Sequence, residues 1–167
     1  MKCKICKKES EFECCSVEHA ITYIEKKKKI EWSKRKAEMK ESLESKSELM
    51  NRVQKDYNTF IRYRDVGKDC ISCDTILTMS NMNAGHFYDT KVELLRFDGY
   101  NVHGQCIQCN KHFHGNLIKY RIKLEKRIGT YYLHCLDNLS DSKFRFSKLE
   151  INRIHENIKK ELKIIKK

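Results

Sequence analysis

Proline is absent from this chain and glycine is scarce, with six in 167 residues. Residues 20–66 contain neither, so nothing there compels a helix to stop. No segment approaches about 18 consecutive apolar residues, which excludes a membrane-spanning helix. The opening Met1-Lys-Cys3-Lys-Ile-Cys6 lacks the apolar run of a secretion signal. The chain is therefore expected in a reducing cytoplasm, where nine cysteines argue for metal rather than disulfides. Apolar residues are only 40% of the total, enough for a modest core. Acid is also short: 23 Asp and Glu face 35 Lys and Arg, giving a net charge of +12. That balance favours a polyanionic partner, nucleic acid by default and an anionic membrane surface otherwise.

What is present is concentrated in cysteine pairs. Cys70-x2-Cys73 and Cys106-x2-Cys109 have the spacing of a tetrahedral four-cysteine zinc site. Such a site is closed and structural, and it pins a hairpin to a helix in a module with little core of its own. A second set, Cys3-x2-Cys6 with Cys15-x3-His19, has the ligand count of a smaller zinc site. Cys14 competes with Cys15 there; the Cys-x3-His step into a helix after Ser16 favours Cys15. Cys135 reads as an ordinary buried thiol.

The chain divides into four stretches. Residues 1–19 form an N-terminal zinc knuckle. Residues 20–66 read as one long charged helix, capped by Ser16, stopped at Gly67 and edged by Glu25–Lys29, Glu31–Arg35 and Lys40–Glu44 pairs. Its later part carries an apolar stripe, Leu49, Met50, Val53, Tyr57, Phe60 and Ile61, which should pack on the following domain. Residues 67–129 read as the core module. Strands are predicted over Ile76–Phe87 and Lys91–Tyr100, then helix from about Cys106 and a helical face Leu117, Tyr120, Leu124 and Ile128. Residues 130–167 form a basic helical tail. Its start is marked by the capping box Ser147-Lys-Leu-Glu150 and the staple Phe146–Ile151.

Between the central cysteine pairs stand groups fit for phosphodiester hydrolysis, which needs a base, a cation and a group that orients the base. Neutral His86 can activate water near pH 7. Asn110 offers an oxygen to Mg2+ or Mn2+. Asn101 can hold the loop or hydrogen-bond the histidine.

A family resemblance rests on these residues. Cys70-Ile-Ser-Cys73, Ala84-Gly-His86-Phe-Tyr, Leu95-Arg-Phe-Asp and Asn101-x-His103-x-Gln105-Cys106-x2-Cys109-Asn110-x-His112 resemble the phage NinG (Rap) recombination endonucleases. Gly115-Asn116, Tyr120-Arg-Ile, Lys126-Arg-Ile-Gly129, Cys3-Lys-Ile-Cys6 and Cys15-Ser-x-Glu-His19-Ala extend the resemblance over nearly the whole chain. It implies an α+β fold: a zinc-pinned ββα-metal core of the HNH, or His-Me finger, class, with a long N-terminal helix and a basic C-terminal helix. It further implies a divalent-metal endonuclease acting on branched DNA, Holliday junctions and D-loops. His86 then falls on the general base, Asn101 on the middle asparagine and Asn110 on the metal-binding residue after the last zinc cysteine. Many HNH nucleases have aspartate before the base, where this chain has Gly85; Asn83, Asp89 or His103 is the candidate substitute. His112 and His114 contact phosphate or only pack.

The competing reading is a non-catalytic zinc protein that binds DNA, which charge and two zinc sites would suffice to explain. A third is an adaptor built on the long helix. Symmetric junction resolution needs two active sites, so a homodimer joined through that helix is attractive, although its heptad pattern is poor.

Overall fold

The computed structural model describes residues 1–166, apart from the side chains of residues 37, 38 and 40–42. The chain forms two compact units, Met1–Ser45 and Lys46–Lys167.

In the first unit a bridge between Lys2 and Glu9 closes a tight turn around Cys3 and Cys6. Lys7 takes φ 64° to complete it and donates its N–H to the Cys3 carbonyl. Helix α1, Val17–Leu43, follows. Ser16 caps it as expected, its hydroxyl accepting from the His19 N–H at 3.2 Å. Glu31 and Arg35 pair at 3.9 Å on its surface. The Lys40–Glu44 pair lies outside the described side chains.

The single helix expected over residues 20–66 is interrupted. Glu44 and Ser45 are non-helical, and α2 begins anew at Lys46, ending at Asp65. Ser45-Lys-Ser-Glu48 has the spacing of a capping box, a start signal that needs no glycine or proline.

In the second unit α2 buries Leu49, Met50, Val53, Tyr57 and Ile61 against α5, Lys148–Ile165, through Ile151 and Ile158. The Ser147 capping box forms, and Phe146 packs into the same cluster as Ile151. His155 is buried between the two helices. Its Nε2–H donates to Asp56 at 2.6 Å, and its Nδ1 accepts from Arg52 at 3.2 Å. Helices α3 (Leu117–Ile128) and α4 (Thr130–Leu139) meet at Gly129, φ 84°, and carry Tyr120, Leu124, Leu133 and Leu136 into a second cluster. Cys135 on α4 is half-buried rather than fully buried.

The sheet is one antiparallel hairpin, β1 (Met82–His86) with β2 (Val102–Cys106), in the register Met82↔Cys106 to His86↔Val102. The second strand therefore lies beyond the predicted Lys91–Tyr100 segment. That segment is a loop with a 3-10 turn at Glu93–Leu95. Asp89 accepts the Lys91 N–H and Asp98 the Tyr100 N–H, each at 2.8 Å or less, so both carboxylates bend the chain locally. Its apolar residues serve packing instead: Leu95 enters one cluster and Phe97 the other. After β2 the helical segment expected from about Cys106 forms as a single π turn, Gln108–His112.

A hairpin this short is not self-supporting. Its two faces are covered differently. Ala84 and Val102 face α2, while Tyr120 of α3 donates to the Gly85 carbonyl at 2.9 Å from the other side. The outer edge of β2 is held by Asp65, 1% exposed, whose carboxylate accepts the Gly104 N–H at 2.7 Å. Arg64 closes a two-point fork on the same carboxylate at 3.0 and 2.7 Å, and Lys68 joins at 3.0 Å. Burial alone would raise the Asp65 pKa, but the Arg64 fork and the Gly104 N–H outweigh it and hold it well below the usual carboxylate range.

Removing this anion leaves a half-buried guanidinium and an orphaned N–H. Asp65→Ala is therefore expected to cost about 3 kcal/mol, read by urea unfolding of the zinc-loaded protein. Because the folded pKa is depressed, the contribution is fully present above the unfolded value of about 3.9 and fades as pH falls below it. The stability gap between wild type and Asp65→Ala should be constant from pH 7 to 5 and narrow in stronger acid.

Candidate metal centres and the candidate active site

Each CxxC pair lies in the same local device. A bridge between Asp69 and Ile76 closes around Cys70 and Cys73, as Lys2 and Glu9 close around Cys3 and Cys6. The hairpin and the π turn then deliver Cys106 and Cys109. All four sulfurs lie within 4.8 Å of one another. Cys73 and Cys106 are 3.7 Å apart, close to the roughly 3.8 Å between sulfurs on a tetrahedral zinc.

The surroundings suit thiolates. Backbone N–H groups of Ser72 and Cys106 point at the Cys70 sulfur at 3.4 and 3.3 Å, and that of Cys109 at the Cys106 sulfur at 3.4 Å. The Asn116 amide reaches the Cys109 sulfur at 3.5 Å. Asn116 can do so because it adopts φ 45° after His114 and Gly115, also left-handed. Lys123 of α3 ties the first knuckle down, donating to the carbonyls of Cys70 and Cys73 and to Asp74. Proton affinity is spread unevenly over the four sulfurs. Burial pushes the Cys70 thiol up and drives Cys109 to about 12, whereas at Cys73 hydrogen bonds with Thr75 outweigh burial and bring it to about 7.

Cys3, Cys6, Cys15 and His19 also place one ligand atom each within 4.8 Å of the others. His19 Nδ1 lies 3.1 Å from the Cys15 sulfur, so Cys15 rather than Cys14 belongs to the set. The Cys6 N–H pulls Cys3 down to about 5, while proton sharing with Cys6 pushes Cys15 to about 11. Both donor sets could hold zinc, by number, type and proximity.

His86 ends β1. Its Nε2–H donates to the Arg96 carbonyl at 3.1 Å, which leaves Nδ1 as the free lone pair. Burial lowers its pKa, with the Arg96 charge adding to the effect; the hydrogen bond to the carbonyl and the Asp89 carboxylate act the other way. Asp89 is exposed, and its charge reaches the imidazole.

Asn101 is fully buried and its amide is spent on the loop between the strands. Its Nδ2 donates to the carbonyls of Tyr88 and Leu95, and its Oδ1 accepts the Tyr88 N–H at 2.8 Å. Of the two roles expected for it, it performs loop-holding. Asn110 sits in the π turn within a directed chain of amides. Asn83 donates to Asn110 at 3.3 Å, Asn110 to Gln105 at 3.0 Å, and Gln105 to Ser72 at 2.7 Å.

Strand alternation puts Asn83, Gly85, His103 and Gln105 on one face of the hairpin and His86 on the other, beside Ala84 and Val102. The structure thus brings Asn110 to Asn83, and not to His86. His103 is occupied on both nitrogens, by the Tyr100 carbonyl and Arg64, and burial lowers it to about 4. A side chain at 85 would displace Gln105: a Cβ there would stand 2.4 Å from the Gln105 Oε1 and 3.0 Å from its Cβ. His112 and His114 are exposed. Asp65 and Lys123 were not singled out from sequence, since each acts through partners distant along the chain.

A hairpin set between a helix pair and a helical corner, with one four-cysteine set at its base and a three-cysteine, one-histidine set in the other unit, each able to hold zinc, defines a small α+β protein. The family model described as "Bacteriophage Lambda NinG protein" matches residues 1–167, so the chain belongs to the NinG family. Protein ninG of Escherichia phage 933W is 35% identical over 152 residues, covering 77% of this chain and 75% of that protein. Protein ninG of Salmonella phage P22 is 45% identical over 89 residues, 53% of this chain and 43% of its own length. That of Escherichia phage lambda is 44% identical over the same span. No solved structure gives a significant match. Among the described residues no helix is long and apolar enough to cross a membrane.

Two zinc ions per chain are expected by elemental analysis of protein purified without chelator. Cys106→Ser should reduce the count to one, with a lower unfolding temperature; retention of both ions would remove Cys106 from the ligand set.

Proposed function

We propose that this chain is a divalent-metal-dependent endonuclease that cleaves branched DNA, such as Holliday junctions and D-loops, in the bacterial cytoplasm. The observation that carries this reading is the fixed tautomer of His86. The Arg96 carbonyl takes the Nε2 proton, burial keeps the ring neutral, and Nδ1 is left to accept a proton from water. The resulting hydroxide attacks phosphorus, the bond to the 3′ oxygen breaks, and a 5′-phosphate and a 3′-hydroxyl result. Bound Mg2+ or Mn2+ would neutralise charge on the phosphate and the leaving oxygen.

Among the described residues, the His, Cys, Asp and Glu groups that converge as a metal cluster are the two cysteine sets, so no carboxylate cage for this cation is preformed. Mg2+ is commonly held by one or two carboxylates with substrate phosphates and water. Asp89, whose charge reaches His86, is the carboxylate that fits such a site. Asn110, given this role by family resemblance, would first have to leave its bonds to Asn83 and Gln105. Branched arms are read through phosphates by the basic surface of a chain with net charge +12, and a dimer would supply the second cut.

The separation of His86 from Asn110 favours a second reading, a zinc protein that binds DNA without cutting it. The two part in one assay. Nicking of a synthetic four-way junction in Mg2+ or Mn2+ should fall roughly 100-fold or more in His86→Ala. Wild-type activity should persist to below the ordinary imidazole pKa of about 6.5 before acid reduces it. Equal rates for the two proteins would remove His86 from catalysis. Salt-sensitive binding with no scission by wild type in either metal would establish the second reading.

A further inference from the structure

Three tyrosines crowd one exposed corner of the second unit. Tyr100 and Tyr132 stack with ring centroids 4.4 Å apart and planes 17° from parallel. Tyr131 meets Tyr132 edge-on at 5.4 Å. Tyr131 is 74% exposed, and the other two are more than 40% exposed. The corner is built firmly. The Tyr100 N–H is held by Asp98 and its carbonyl by His103 Nε2, so the ring stands on a fixed backbone. Gly129, at φ 84°, turns the chain so that the first turn of α4, with Tyr131 and Tyr132, follows directly on Lys126 and Arg127 in the last turn of α3. Arg64 donates to the Gly99 carbonyl beside Tyr100. Of the acids at the corner, Asp98 has its carboxylate turned to the backbone N–H groups of Tyr100 and Asn101, and Glu125 accepts from the Thr130 hydroxyl.

Open aromatic faces bordered by guanidinium and ammonium groups match one chemistry well: a flat base with phosphates on either side. A base inside a duplex has both faces covered by its neighbours, and only an unpaired one can offer a face to a ring. The corner also has a telling place in the fold. Tyr100 leads through Asn101 into Val102, the cross-strand partner of His86, at the hairpin end opposite Cys106.

We propose that Tyr100, Tyr131 and Tyr132 form a stacking platform for an unpaired DNA base, with Lys126 and Arg127 taking the adjoining phosphates. The platform selects branch points by their exposed bases rather than by sequence, and holds the strand at the His86 end of the hairpin. It rests on DNA as the partner and does not require cleavage.

The test uses the full zinc-loaded chain without Mg2+ or Mn2+, and two probes carrying 2-aminopurine. In one the fluorophore is an unpaired base at a three-way junction; in the other it is paired within a duplex. Wild type should quench the unpaired fluorophore alone. The Tyr131→Ala/Tyr132→Ala double variant should lose that quenching and bind the junction about ten-fold more weakly, with duplex affinity unchanged. Tyr131→Phe should behave as wild type. If wild type binds both probes and the double variant quenches and binds like it, the platform fails while the DNA reading stands. Equal weakening toward both probes also overturns it, since that marks general damage or phosphate contact. If wild type binds neither probe, the proposed function falls and the platform with it, leaving a protein ligand for the corner.

Discussion

Four sulfurs packed within 4.8 Å cannot all carry charge unless something positive sits among them. This constraint governs the second unit. The hairpin has only five residues per strand, and β2 is built from Val102, His103, Gly104, Gln105 and Cys106, a set with little apolar surface to bury. Hydrophobic burial alone would leave it loose. A dication on Cys70, Cys73, Cys106 and Cys109 would join the knuckle, the hairpin and the π turn at one point, and the N–H groups aimed at the sulfurs are arranged for that state. Everything placed by the hairpin, His86 included, inherits its position from that joint.

Polar contacts complete what the metal site begins. Asp65 holds the free edge of β2, Asn101 holds the loop between the strands, and the chain from Asn83 through Asn110 and Gln105 to Ser72 crosses the hairpin face. Each of these groups is wholly or partly buried, and each is satisfied by specific partners. Such networks fix a unique arrangement where apolar packing is thin. The apolar clusters lie to either side, between α2 and α5 and beneath the corner of α3 and α4.

Local signals were the legible ones. The cysteine spacings, the cap at Ser147, the stop at Gly67 and the face of α3 each depend on residues within a turn or two of one another. The position of β2 was not legible: its residues are buried by polar partners, so no alternation of apolar and polar marks it. The loop before it carries Leu94, Leu95 and Phe97 in a strand-like rhythm, but Asp89 and Asp98 bend it. At the candidate site, sequence order set His86 and Asn110 on either side of the same hairpin and could name both. It could not show that strand register sends their side chains to opposite faces, because register depends on the partner strand.

Gly85 and Gln105 have a consequence for how this scaffold can change. The side-chain oxygen of one strand occupies the volume a β-carbon on the other would need, so the two positions are sterically interlocked. A variant carrying aspartate at 85 would need the Gln105 amide to swing away or a smaller residue at 105, and either change would cut the amide chain from Asn110 to Ser72. Two adjacent sites on the hairpin therefore offer a choice between an acidic group beside the histidine and a continuous amide lattice across the face; the present chain has the lattice.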